Sequence, residues 1–430
     1  MNFESGRKIK LDSGREIIVQ NRLGEGGQGI VYKVDFEGKA YALKWYKPSY
    51  LKSLGANESY FKENLVNNAS KDAPSEKFIW PKAVTQEVDG SFGYIMELKP
   101  DNYVGFDEIY LKKKEFASFR ASVDCVINMV DGFRSLHSQG YFYLDLNDGN
   151  FFINPQNGDI RICDNDNVTA SPKFNIGKPG YIAPELVRSD VGAMSSQLTD
   201  LHSLAVVLFK LLIRHDPLEG IRFVKAGALS AKKQLEFYGE DPVFIFDPVN
   251  KTNPPVNGLH PNPIKLWPMY PDYLQEAFIQ TFGEGLKTDN KRTKSLEWKK
   301  RLLKLKDEII VCSCGADIYV HGQRISGLQV LTCTCGKKYN YPHELEINKS
   351  KIYLFPSVRL TKHHIEGDSD FTEIGRVVVS KSDPNKWGLK NLSPYSWKVN
   401  GTEEIEKDKI AVIVQGNKIE FKEGKVGTIN

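Results

Sequence analysis

Tyr143-Leu144-Asp145-Leu146-Asn147-Asp148-Gly149-Asn150, followed at once by Phe151-Phe152-Ile153, is the stretch on which the reading of this chain turns. A carboxylate, Asp145, and an amide oxygen, Asn150, share one polar loop, and the apolar run behind them reads as a short strand. A carboxylate held in a loop can accept a proton, and amide and carboxylate oxygens are the ligands that hard divalent cations prefer. Further along, Ile160-Arg161-Ile162-Cys163-Asp164-Asn165-Asp166 adds a second carboxylate, Asp164, at the end of another apolar run.

Upstream, Gly24-Glu25-Gly26-Gly27-Gln28-Gly29-Ile30-Val31 fits G-x-G-x-x-G-x-V. Residues without a β-carbon let backbone N–H groups come close to phosphate oxygens. A dinucleotide-binding fold would open a helix after the third glycine of that pattern, whereas here an alternating strand, Ile30–Phe36, continues. Lys44 follows in Tyr41-Ala42-Leu43-Lys44-Trp45-Tyr46, where an ammonium can neutralise phosphate charge. The bland alternative for this segment alone is a surface hairpin carrying a strand lysine. Downstream come Gly180-Tyr181-Ile182-Ala183-Pro184-Glu185, then Asp200 at the head of an apolar helix, then Arg292 in Asp289-Asn290-Lys291-Arg292.

These ordered motifs resemble the eukaryotic-type protein kinase family over residues 15–306. The resemblance implies an α+β fold with a β-rich N-lobe and a helical C-lobe, binding ATP and Mg²⁺ and acting on protein Ser or Thr hydroxyls. Asp145 is then the acceptor of the substrate proton and Lys44 the phosphate-binding lysine. Asn150 and Asp164 are the metal ligands. Gly24, Gly26, Gly27, Gly29, Val31 and Lys44 contact the nucleotide, as do Met96, Glu97 and Leu98 where the strand at 91–98 ends. Glu63, on a predicted helix at 57–70, is the expected carboxylate partner of Lys44, with Glu58 as fallback. Glu185 and Arg292 form the expected structural pair, and Asp200 braces the catalytic loop. His215–Gly220, Asp241–Pro248 and the cysteine pair that follows the kinase region are similar to one bacterial group, the kinases of tellurium-resistance phosphorylation modules. That likeness implies a von Willebrand type A protein and a metal-dependent protein phosphatase as partners.

Several positions depart from the family pattern. The usual His-Arg before the catalytic aspartate is Tyr143-Leu144, so the cationic clamp for a phosphorylated activation loop is missing and activity is expected not to need phosphorylation of Thr169 or Ser171. The usual lysine after the aspartate is Asn147, and the usual G-T-P is Gly177-Lys178-Pro179; Lys178 is expected to return the missing charge as a third catalytic side chain. Asp164-Asn165-Asp166 replaces D-F-G. Asp166 reads either as a second metal carboxylate favouring Mn²⁺ or as a turn cap. These changes keep two rival readings open: a nucleotide-binding pseudokinase scaffold and a small-molecule phosphotransferase.

Beyond residue 308 the texture changes to short strands with turn signals. Cys312-Ser313-Cys314-Gly315 and Cys333-Thr334-Cys335-Gly336 repeat one knuckle, and four thiolates so paired read as a structural Zn²⁺ site. Four buried thiols without metal are the alternative, and His343 is not needed as a ligand. Residues 347–430 alternate as a β-sandwich and resemble a forkhead-associated domain without the Ser-x-x-His of phosphothreonine readers, with Arg376 and Asn400 at suggestive places; the region reads as a degenerate interaction module or as a β-domain that packs on the kinase. Cys125 and Cys163 stand in apolar contexts and read as packing residues.

The predicted organisation is an N-lobe at 1–100, a C-lobe at 101–307, a zinc-ribbon-like subdomain at 308–346 and a forkhead-associated-like sandwich at 347–430. Helices are expected at 115–139, 196–214 and 294–307, and a Pro-rich packed segment without helix at 242–273. With 430 residues and a net charge of +4, the chain carries too little charge to argue for nucleic acid or an anionic membrane. The most apolar run, Leu204–Phe209, stops at Lys210, far short of a span. A cytoplasmic protein is the resulting expectation.

Overall fold

The computed structural model describes residues 3–348, 350–356, 358–367, 370–383 and 386–430. It divides into two compact units. The first holds the chain up to Ala117, Asp124–Pro268 and Gln275–Lys299; the second holds Ser118–Val123, Met269–Leu274 and Lys300–Asn430.

In the first unit, an antiparallel sheet runs in the order Lys8–Lys10, Glu16–Glu25, Gly29–Phe36, Lys39–Tyr46, Gly93–Met96, Ala83–Val84. Register decides what each face carries. Lys44 lies between Val31 and Tyr94, and Ala42 opposite Met96. With a side-chain period of two, Ala42, Lys44 and Tyr46 share one face with Tyr94 and Met96. That face packs on Phe61 and Leu65 of the helix Glu58–Ala69. The opposite face closes over Ile17, Tyr32, Leu43, Trp45 and Ile95. Gly29 is required by crowding: a β-carbon there would lie 2.4 Å from the Trp45 carbonyl oxygen.

The long helices observed are Glu58–Ala69, Phe119–Ser138, Gln197–Ile213, Asp272–Phe282 and Ser295–Asp307, and all but Asp272–Phe282 lie close to the bounds expected from the sequence. Gln197–Ile213 is buried along nearly its whole length. It starts where the Ser196 side chain accepts hydrogen bonds from the Leu198 and Thr199 amides, and it stops at Arg214 in a left-handed conformation. The expectation of no helix in 242–273 needs correction. Pro261–Leu266 is helical and Asp272 already opens the next helix. Pro261 sits in the first turn, where a missing N–H costs nothing, so proline density did not exclude a helix here.

The second unit carries two small hairpins, Ile309–Val311 with Asp317–Tyr319 and Leu331–Thr332 with Lys338–Tyr339. A six-stranded and a four-stranded antiparallel sheet follow. They pack around Leu345, Leu389, Trp397, Ile419 and Phe421 as a β-sandwich. The region after 308 is not purely β, because Val320–Ile325 and Lys362–Glu366 form single helical turns between strands. The hairpins share their core with the sandwich: Ile310, Ile318, Val320 and Leu331 pack with Tyr353 and Phe355.

Candidate active site

Asp145 sits in a loop shaped by its own polar residues. The Asn147 side chain caps a turn at Asp148–Asn150, accepting from the Gly149 amide at 2.9 Å. Its amide nitrogen donates to the Asp145 carbonyl at 3.0 Å and to the Asp145 carboxylate at 3.3 Å. Asn150 is buried, and its side-chain oxygen accepts from the Asn147 amide at 2.8 Å. Burial pushes the Asp145 carboxyl up to about 6; the hydrogen bond from Asn147 and the nearby Lys44 oppose the rise, and Asp164 and Asp166 add to it.

Two groups anchor the base of this loop. Asp200 is buried; its carboxylate accepts from the Tyr143 amide at 2.9 Å and meets His137 Nε2 at 2.9 Å. Burial raises the Asp200 carboxyl, and His137 and the Tyr143 amide pull it back. Tyr143 also donates its hydroxyl to the Cys163 carbonyl, tying the loop to the strand that presents Asp164. Cys163 and Cys125 are buried and their thiols are raised by burial, as befits packing residues.

Asp164 adopts φ 56°, ψ 39°, a left-handed conformation that turns the chain after Cys163. Asn165 stands where the D-F-G pattern has an aromatic. Its amide donates to the Ile79 carbonyl at 2.9 Å and to the Ile162 carbonyl at 2.8 Å, so a polar tether replaces an apolar contact.

Lys44 lies 3.1 Å from Asp164 and 2.9 Å from Asp166. Its ammonium also donates to the Gln28 side chain at 2.7 Å, which brings the glycine-rich hairpin onto the same point. Burial lowers its pKa, but the carboxylates of Asp164 and Asp166 more than reverse this and hold it above the ordinary lysine value. Gly26 and Gly27 have open space where a β-carbon would stand. Met96 is buried at the strand end, Leu98 half-buried, and Glu97 exposed, paired with Lys82 at 3.2 Å.

Two expectations need correction. Glu63 is exposed, and neither it nor Glu58 forms an ion pair with Lys44 among the described residues. The side of that helix nearest the catalytic segment carries Tyr60, Asn64 and Asn68, spaced four apart, and the glutamates fall elsewhere on the wheel. Asp166 neither caps a turn nor stays free for a second metal, since both its oxygens are engaged by Lys44, Tyr46 and Tyr94. Lys178 is exposed, with its ammonium 5.3 Å from the centre of the Tyr181 ring. The polar group beside Asp145 is Asn147. Gly177 comes close instead: a β-carbon there would meet Ile182 at 2.2 Å and the Asp145 carboxylate at 3.7 Å.

Glu185 and Arg292 meet in a two-pronged pair at 2.8 and 2.7 Å, with Arg292 buried. The roles of Gln28, Tyr46, Tyr94 and Tyr143 were missed in the sequence. For Tyr46 and Tyr94, alternation along their strands was the available signal, since it puts both on the face of Lys44. Thr169, expected to be dispensable as a phosphorylation site, is buried, with its hydroxyl 2.6 Å from that of Tyr60.

In the second unit, the Sγ atoms of Cys312, Cys314, Cys333 and Cys335 lie within 4.8 Å of one another. Each knuckle turns through a left-handed glycine, Gly315 and Gly336, whose amide donates to the first cysteine's carbonyl. Arg376 is held by Glu373 through two hydrogen bonds at 2.6 and 2.7 Å, and the Asn400 side chain accepts from the Lys418 amide at 2.9 Å. Both side chains are thus committed to local structure.

Comparison with known proteins agrees with this geometry. The protein kinase domain family profile matches residues 17–244. The chain is 25% identical over 221 residues to the mouse proto-oncogene serine/threonine-protein kinase mos, covering 48% of this chain and 63% of that protein. It is 25% identical over 223 residues to the G protein-coupled receptor kinase 2 of Caenorhabditis elegans, covering 50% of this chain and 30% of that protein. The chain thus spans less than two thirds of the length of these relatives. No described helix is long and apolar enough to cross a membrane. A lysine between two facing strands, a carboxylate loop braced from a buried aspartate, and a profile match over more than half the sequence lead to one assignment: this chain belongs to the protein kinase domain family.

Proposed function

We propose that the chain is an ATP- and Mg²⁺-dependent protein kinase acting on Ser or Thr hydroxyls of proteins, itself included. The observation that carries this reading is the convergence of Lys44 and Asp164 at 3.1 Å on one segment tied to the Asp145 loop through Tyr143. Bound Mg²⁺–ATP supplies the phosphoryl group and the divalent charge that offsets its oxygens. Asp164 and the side-chain oxygen of Asn150 would hold that ion. Lys44 holds the α- and β-phosphates, and the glycine-rich hairpin covers them. Asp145 orients the acceptor hydroxyl and takes its proton, and Asn147 fixes the carboxylate for that task. Labelled phosphate transfer to a general protein acceptor tests this, with Asp145→Asn expected to remove at least 99% of the signal. Nucleotide binding without transfer would favour a scaffold. Transfer to small hydroxyl compounds alone would favour a small-molecule phosphotransferase.

The four cysteines are the proposed ligands of a structural Zn²⁺. A tetrahedral ion with Zn–S near 2.3 Å needs S···S edges of about 3.8 Å. The pairs Cys312–Cys335 and Cys314–Cys333 stand at 3.7 and 3.6 Å, which supports the fit. The likeness to bacterial tellurium-resistance modules supports a cytoplasmic setting, with a von Willebrand type A protein and a metal-dependent phosphatase as partners. The β-sandwich supports a forkhead-associated-like interaction module, with Arg376 available to phosphate only if Glu373 releases it.

A further inference from the structure

We propose that Asp166 positions Lys44 for the nucleotide phosphates, replacing the helix-borne glutamate that the kinase pattern leads one to expect. This deepens the function proposed above and rests on it.

Asp166 is fully buried: its side chain has 0% exposure. Both its oxygens reach the Lys44 ammonium, at 3.2 and 2.9 Å. The Tyr46 hydroxyl donates to it at 2.6 Å and the Tyr94 hydroxyl at 3.3 Å. These two tyrosines flank Lys44 on one sheet face, so the sheet supplies a fitted receptacle for a carboxylate beside its lysine. A buried carboxylate with two hydroxyl donors and a paired ammonium is a satisfied one.

The helix Glu58–Ala69 has another task. Its Asn64 and Asn68 side chains both donate to the Val168 carbonyl at 2.8 Å, and Tyr60 meets Thr169. The helix therefore braces the segment carrying Asp166, two residues away, and offers Lys44 no carboxylate.

Asp164 cannot serve alone. Its side chain is 40% exposed, and carboxylate oxygens are the ligands that Mg²⁺ prefers. Were Asp164 to ligate a metal ion, Asp166 would be the counter-charge left to Lys44. Metal ligand and lysine brace then stand two residues apart on one segment, pinned by Asn165 to Ile79 and Ile162. Lysine placement is thereby uncoupled from any movement of Glu63.

The test uses the full chain in three forms: wild type, the double variant Glu58→Gln/Glu63→Gln, and Asp166→Asn. Asparagine keeps the size and one acceptor for the tyrosines but removes the charge. Binding of Mg²⁺–ATP and of adenosine is measured alongside kcat/KM for ATP. The double variant is expected within twofold of wild type throughout. Asp166→Asn is expected to lose at least tenfold in Mg²⁺–ATP affinity and kcat/KM while adenosine binding stays within twofold. A general structural defect would lower both ligands together. A tenfold loss in the double variant overturns the proposal whether or not Asp166→Asn folds, as does an Asp166→Asn protein within twofold of wild type for Mg²⁺–ATP. A wild-type chain that binds no Mg²⁺–ATP counts against the kinase reading itself.

Discussion

Glu185→Gln is the substitution whose cost follows most directly from the structure. Arg292 has 1% side-chain exposure and Glu185 20%. The guanidinium gives one nitrogen to each carboxylate oxygen at 2.8 and 2.7 Å, and also reaches the Gly285 and Leu198 carbonyls at 2.9 Å. Glutamine preserves the size and one acceptor. It sets an NH₂ against a guanidinium donor and leaves a buried positive charge without its partner. Breaking a buried pair costs about 3–5 kcal/mol. The fifth of Glu185 that water reaches puts this pair at the low end, about 3 kcal/mol. At roughly 2–4 °C per kcal/mol for a unit of this size, the expected fall in Tm is about 6–12 °C. Calorimetry on wild type, Glu185→Gln, Arg292→Met and the double variant measures it, with a coupling of about 2–3 kcal/mol expected from the cycle. A fall under about 2 °C, or additive single effects, would refute the claim that this pair holds the lobe together.

In the proposed transfer Asp145 must be ionised to take the proton, and burial raises its carboxyl to about 6. Lowering the pH through that value therefore protonates it, and kcat/KM should fall tenfold per pH unit below about 6; a flat profile down to pH 5 would contradict this. Thr169→Ala/Ser171→Ala should keep turnover within about threefold while losing about 1 kcal/mol of stability from the Tyr60 contact, and a dead enzyme would show that loop phosphorylation is needed. Lys178→Ala should lower kcat by about two orders of magnitude if its ammonium serves the transferred phosphoryl group, and a change under about threefold in a steady-state assay would leave it a surface residue resting on Tyr181. Elemental analysis should find about one zinc per chain, and a chelator should remove about 10–16 kcal/mol of apparent binding energy and melt the second unit first. A zinc-free protein with unchanged melting would exclude the metal.

The order of motifs was readable because chemistry demands particular residue types at particular spacings. A hard cation needs oxygen donors and a phosphate loop needs glycines; Asp145, Asn150, Asp164, Glu185 and Arg292 were recognisable because they stand in the order and spacing of the kinase family's motifs. The paired Cys-x-Cys-Gly knuckles were legible for the same reason, and the long helices were legible from their apolar period. Helices in the Pro-rich stretch were not, since a proline at a helix start and one that breaks a helix look alike in one dimension.

Which carboxylate meets Lys44 belonged to the tertiary structure. Glu58, Glu63 and Asp166 are all acidic and near the site in outline. The choice among them rests on which side of a helix turns inward and on how a sheet places Tyr46 and Tyr94 around one buried oxygen pair. Asp166 lies more than a hundred residues from Lys44, and no local pattern records that meeting. The sequence by itself determined the chemical inventory, because residue type sets what a side chain can bond. Only the folded chain decided the pairings, because an ion pair depends on distance and burial, which arise when separate segments pack.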